Sequence, residues 1–119
     1  MAETNFDAVA GSLNNNICEE IANDTISASA SYQAKTLSSG KKFSDYTLLY
    51  AFVGSGTAQR GSFSIPVSLF SSLTDALSNA VLGTNTVKTW YLKYDSDTEF
   101  SVATDAGSAL WVRLYGIKL

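Results

Sequence analysis

Residues 109–118 read ALWVRLYGIK. Successive side chains of an extended chain point to opposite faces. Leu110, Val112 and Leu114 therefore share one face, and Trp111, Arg113, Tyr115 and Ile117 share the other. Residues 43–53, FSDYTLLYAFV, repeat the pattern, with Tyr46, Leu48, Tyr50 and Phe52 set against Thr47, Leu49, Ala51 and Val53. A strand that is half exposed alternates apolar with polar, whereas a strand with two largely apolar faces is covered on both sides. These two stretches thus predict strands in a layered β domain, with a second covering layer supplied by the same chain or by another.

Period-two patterning extends to most of the remaining chain. Ile26, Ala28, Ala30, Tyr32 and Ala34 alternate with polar residues and predict a strand with small inward side chains. Residues 62–70 read as extended, and Pro66 predicts that this strand lies at an edge or breaks there. Residues 86–94 and 98–104 predict a hairpin about Asp95-Ser96-Asp97, and Gly54–Gly61 predicts an exposed, Gly-rich loop. Leu69, Leu73, Leu77 and Val81 fall four apart and predict a short helix or a compact loop over the core. About six short strands separated by turns is the cadence of an antiparallel sandwich or barrel. The expected fold is all-β: an antiparallel β-sandwich, a jelly-roll-like knob, over residues 25–119.

Residues 1–24 follow a different period. Phe6, Val9, Leu13, Ile17 and Ile21 recur every three or four positions, and Thr4 with Asp7 resembles a capping box. A short helix is predicted here. Five apolar contacts cannot hold a lone helix in water, so it must pack on the domain or on copies of itself. Residues 1–24 are therefore expected to be an oligomerisation or attachment segment.

Composition narrows the chemistry. The 119 residues suit one domain. They contain no histidine, which excludes a Ser-His-Asp triad, a Cys-His pair and any His-ligated metal. Cys18 is alone, so neither an internal disulfide nor a thiolate cage can form. A net charge of −3 argues against an electrostatic grip on nucleic acid. The start, MAETNFDAVAGSL, lacks the basic and apolar regions of a signal peptide, and no apolar run is long enough to cross a bilayer. The sequence predicts no enzyme, no metal or other cofactor, no nucleic-acid partner and no membrane insertion.

Three constellations stand out. The Gly54–Gly61 loop carries Gln59 and Arg60 but lacks the Lys and following helix of a phosphate loop, which leaves a mobile hairpin loop or a ligand-contacting one. Asp95, Asp97 and Glu99 alternate; they fit a solvated turn or, less well, oxygen ligands for a hard cation, since EF-hand spacing is missing. Trp111, Arg113 and Tyr115 share one strand face and are the residue types that anchor buried interfaces, although intramolecular packing or a sugar-stacking surface would use them too. A symmetric trimer would bury such faces without more chain.

Four segments in order resemble the distal, C-terminal domains of tailed-bacteriophage tail fibres and related fibre proteins. They are Asp45-Tyr46, Ile65-Pro66-Val67-Ser68, Asp97-Thr98-Glu99-Phe100 and Leu114-Tyr115-Gly116-Ile117-Lys118, spread over residues 43–119. The resemblance implies a non-enzymatic, receptor-binding fibre knob, a homotrimer assembled in the bacterial cytoplasm and carried on the virion. Its partners would be a bacterial surface glycan or protein and other virion proteins. On this reading Gln59, Arg60, Asp95 and Asp97 contact the ligand, while Phe6, Leu13, Ile17, Trp111, Arg113 and Tyr115 lie at subunit interfaces. A second expectation is a structural virion protein, such as a decoration, head-fibre or tail-assembly subunit, that binds other virion proteins through residues 1–24.

Overall fold

The structure is a computed structural model that describes residues 18–83 and 86–119. It contains eight strands: β1 (Cys18–Ile26), β2 (Gln33–Thr36), β3 (Leu48–Ser55), β4 (Ala58–Pro66), β5 (Leu77–Leu82), β6 (Val87–Ser96), β7 (Glu99–Thr104) and β8 (Leu110–Ile117). They form two four-stranded sheets, in the orders β1-β8-β3-β4 and β2-β7-β6-β5, with every ladder antiparallel. A 3-10 turn at Phe43–Asp45 and one helical turn at Val67–Phe70 are the helical pieces among the described residues.

The alternation read in the sequence sorts the side chains of both central strands. On β8 the residues Leu110, Val112 and Leu114 are buried, and on β3 the residues Leu49, Ala51 and Val53 are buried. They meet Leu92, Phe100 and Val102 of the opposite sheet in one core cluster. One half of that core is aromatic: Phe43 lies 5.4 Å from Phe70, 5.6 Å from Tyr94 and 6.4 Å from Phe100, measured between ring centroids. Tilted and edge-to-face rings at these spacings add to the plain burial of their area. The 3-10 turn exists because it drops Phe43, fully buried, between the sheets.

Several sequence expectations are corrected. The helix expected through Ile21 does not reach that far, because Cys18–Ile26 is a strand paired along β8. A bulge between Glu20 and Ala22 lets both Ile21 and Ala22 be buried. The same residues satisfy a helical spacing and a bulged strand, and a central partner strand decides between them. The boundary drawn at residues 24/25 therefore falls inside β1. Phe6, Leu13 and Ile17, with the rest of that predicted helix, lie outside the described residues. The strand predicted from Thr25 splits in two: Thr25 and Ile26 end β1 and Gln33–Thr36 forms β2, while Ala28 and Ala30 between them offer little apolar surface and are exposed.

The long loop predicted over Gly54–Gly61 is a tight hairpin. Ser55 pairs with Ala58, and Gly56 takes a φ of +58°, which a side chain would resist. The predicted six strands become eight, since Leu77–Leu82 adds an edge strand and residues 18–26 add another. The wound order of a jelly roll is present only in part, in β8 lying between β1 and β3 and in β7 pairing with β2. Around the two layers β3, β4, β5, β6 and β7 follow one another in chain order as a meander, whereas a jelly roll is a double Greek key.

Candidate functional site

The outer side of the β1-β8-β3-β4 sheet carries side chains that a two-layer sandwich ordinarily makes polar. Register places Tyr50 beside Tyr115, and Phe52 beside Arg113. Tyr115 stacks on Phe52 with centroids 5.3 Å apart and planes 6° from parallel. Trp111 meets Phe52 edge-on at 5.9 Å, and Tyr50 leans on it at 5.6 Å. The Arg113 guanidinium lies 4.8 Å from the Trp111 ring, a cation–π distance. Leu48 and Ile117, paired across the same face, extend the patch toward the chain terminus.

Local rules build this surface. Gly54 pairs with Trp111, and a Cβ at Gly54 would overlap the indole, so only glycine lets the ring lie flat on β3. The indole N–H donates to the Gly56 carbonyl (2.8 Å), which fixes the ring against the hairpin. The Tyr115 hydroxyl donates to the Glu20 carboxylate (3.2 Å), and burial first, then that bond, pushes its pKa up. Arg113 Nε is buried without a hydrogen-bond partner among the described residues, and no ion pair there engages this side chain. Trp111, Arg113 and Tyr115 are thus brought together as the sequence suggested, and β3 adds Tyr50 and Phe52.

Gln59 and Arg60 sit in the edge strand β4, where β4 runs close to the edge strand β5 of the other sheet. The approach is tight at Gly61, where a Cβ would overlap the Ala80 carbonyl. Arg60 lines two hollows. A groove of about 450 Å³ is lined also by Gln59, Ser62 and Asn79, and a smaller cleft of about 270 Å³ also by Ser55, Thr86, Lys88 and Ser108. Lys88, Asn79 and the exposed Leu82 were not legible as partners of Arg60. Their meeting depends on the contact between sheet edges, and nothing local encodes it.

Asp95 and Asp97 lie at the opposite end of the sandwich, on the β6–β7 hairpin. Neither joins Gln59 and Arg60. Asp97 accepts the Ser44 amide (2.8 Å) with one oxygen and the Ser44 hydroxyl (2.7 Å) with the other, and these bonds hold its carboxyl below the usual range. Asp95 accepts the Ser101 hydroxyl. Both carboxylates therefore fasten the fold's own chain.

The segments that carried the fibre resemblance also meet at this end. The Tyr46 ring packs on Gly116, where a Cβ would overlap it, and the Lys118 ammonium lies 5.5 Å from the same ring. The Tyr46 hydroxyl donates to Glu19 (2.6 Å), which also accepts from Lys41 (2.9 Å). The bond from Tyr46, then the bond from Lys41, lowers the Glu19 pKa, while burial and the same carboxylate raise that of Tyr46. These motif residues account for packing at one pole of the sandwich, away from the cleft. Comparison of the chain with protein-family models, with curated sequences and with solved structures finds no match.

Proposed function

We propose that this chain is a non-enzymatic assembly and recognition module of a bacteriophage virion, of the kind found at the distal ends of tail fibres. It assembles as a homotrimer through the aromatic face of the first sheet, and it touches a bacterial surface glycan with the end that carries Gln59 and Arg60. The observation that carries this reading is the aromatic face. Trp111, Phe52, Tyr115 and Tyr50 form one connected ring cluster on the side of the sheet away from the core. Trp, Tyr and Arg are the residues around which buried interfaces are built.

Binding by loops at one end and assembly through a sheet face are compatible on one sandwich, because they use different surfaces. Asp97, with both oxygens bonded to Ser44, and Asp95, bonded through one oxygen to Ser101, lie at the other end and form no part of this contact surface. The same aromatic face also serves the second reading, a structural virion subunit that docks other virion proteins. Adsorption separates the two. Fluorescently labelled chain incubated with bacterial cells should be retained on the surface, should compete with unlabelled chain, and should release no soluble sugar. Virion incorporation without any cell adsorption would leave the structural reading alone. Sugar release would overturn the non-enzymatic assignment.

A further inference from the structure

We infer that the cleft between Arg60 and Lys88 is a site for an acidic sugar, a carboxylate- or phosphate-bearing residue of an oligosaccharide whose neutral neighbour lies over Gln59 and Asn79. The inference rests on the recognition reading above and specifies its ligand. The open cleft has a volume of about 270 Å³, room for one sugar unit, and Arg60 and Lys88 both line it. No carboxylate among the described residues lines it, although the chain as a whole is acidic. Asp105, the nearest acid along the chain, accepts the Thr89 amide (2.7 Å).

Arg60 and Lys88 line one concavity, and no ion pair among the described residues engages either, so the cleft offers concentrated positive charge to an anion. Arg60 makes one long, exposed contact, donating to the Leu82 carbonyl at 3.4 Å, which leaves most of its five donors uncommitted. The planar fork of a guanidinium suits a carboxylate or a phosphate, and the Lys88 ammonium on the same cleft adds to the charge. The hydroxyls of Ser55, Thr86 and Ser108 line the same cleft and can donate to or accept from sugar hydroxyls.

The adjoining groove has a different chemistry. Gln59 and Asn79 bring amide donors and acceptors, and Leu82, 55% exposed, offers an apolar ridge between the two hollows. Amides beside an apolar surface match the mixed hydroxyl and C–H faces of a neutral sugar. A peptide with acidic side chains would meet the two cations equally well, yet it would leave the amides of the groove without a graded set of hydroxyls.

The test titrates the full chain, by calorimetry, with three probes: an oligogalacturonate, a short polyglycerol phosphate and a neutral dextran oligosaccharide. Binding of the oligogalacturonate alone assigns a carboxylate, binding of the polyglycerol phosphate alone assigns a phosphate, and both are weakened by added salt. Arg60→Gln and Lys88→Gln should each weaken that binding by about tenfold or more, as expected for removing one partner of a charge-assisted contact. Arg60→Lys should retain part of it, and Lys42→Gln at the other end should change nothing. Equal binding of dextran, full binding by Arg60→Gln and Lys88→Gln, or an equal loss in Lys42→Gln would each overturn the inference. So would an acidic peptide or a single-stranded oligonucleotide that binds as tightly through the same two residues. If the chain adsorbs to cells while none of the probes binds, the cleft assignment fails and the recognition reading stands. If binding of a probe depends on the cleft but cells are not bound, the reverse holds.

Discussion

The two sheets of this sandwich treat their outer faces differently. On the second sheet, β7 turns Ser101 and Ala103 outward, and both are nevertheless buried. The chain itself covers them: Asp95 accepts from Ser101, Tyr91 lies across from Ala103, and the β1–β2 connection lays Tyr32 against Tyr91 at 6.3 Å with Lys93 5.8 Å from the Tyr32 ring. On the first sheet the corresponding positions are Phe52, Trp111, Arg113 and Tyr115, half-buried against one another, Tyr50 and the Glu20 and Gly56 contacts. Small outward residues permit a cover made from one's own loop. Large aromatic ones build a surface suited to a partner. The contrast separates a face closed by its own chain from one proposed to close on assembly.

The largest effect that sharpens this contrast lies on the inner side of the same strand. Leu114 is fully buried, and Leu114→Ala should cost about 2–5 kcal/mol in chemical unfolding with the oligomeric state of the folded fraction unchanged. Phe52, on the outer face of the adjacent strand β3, should behave oppositely. Phe52→Ser removes the centre of the ring cluster, and we expect an intrinsic loss of about 1 kcal/mol together with loss of self-association. Equal effects of the two substitutions on assembly would break the distinction between faces. On the second sheet Tyr32→Ala should cost about 0.5–1 kcal/mol, from one edge-on ring pair and one exposed cation–π contact, and should leave assembly untouched.

The smallest effect is on pH dependence. Glu19 has a lowered pKa in the folded chain, so its contribution is present above the unfolded carboxylate value and is lost as pH falls through the folded one. Glu19→Gln should flatten the acid limb of thermal stability near that range without altering the neutral baseline of self-association. An unchanged acid limb would show that the carboxylate's bonds with Tyr46 and Lys41 carry no measurable stability.

Much of this was legible because β3 and β8 alternate strictly, and alternation alone sorts inner from outer residues once extended structure is granted. That is why Trp111, Arg113 and Tyr115 could be placed on one face, and why Tyr50 and Phe52 could be paired with each other. What failed was local pattern without a partner. Ala28 and Ala30 alternate correctly yet bury nothing, so that segment is not a strand. Ile17 and Ile21 fit a helical spacing, but Ile21 belongs to a bulged edge strand, because β8 has an open edge for it to fill. The Arg60–Lys88 cleft was out of reach for a third reason. It is lined by residues of the β3–β4 hairpin, of β5 and β6, and of the β7–β8 connection, which no periodicity links.

The central claim is that the aromatic face of the first sheet closes on assembly. Light scattering coupled to size exclusion, on the full chain at micromolar concentration, measures it directly. A mass three times the 12.7 kDa of one chain, returning to a single folded chain in Phe52→Ser, is the predicted result. A wild-type monomer at that concentration, or a trimer that survives Phe52→Ser and Trp111→Ser together, would contradict it.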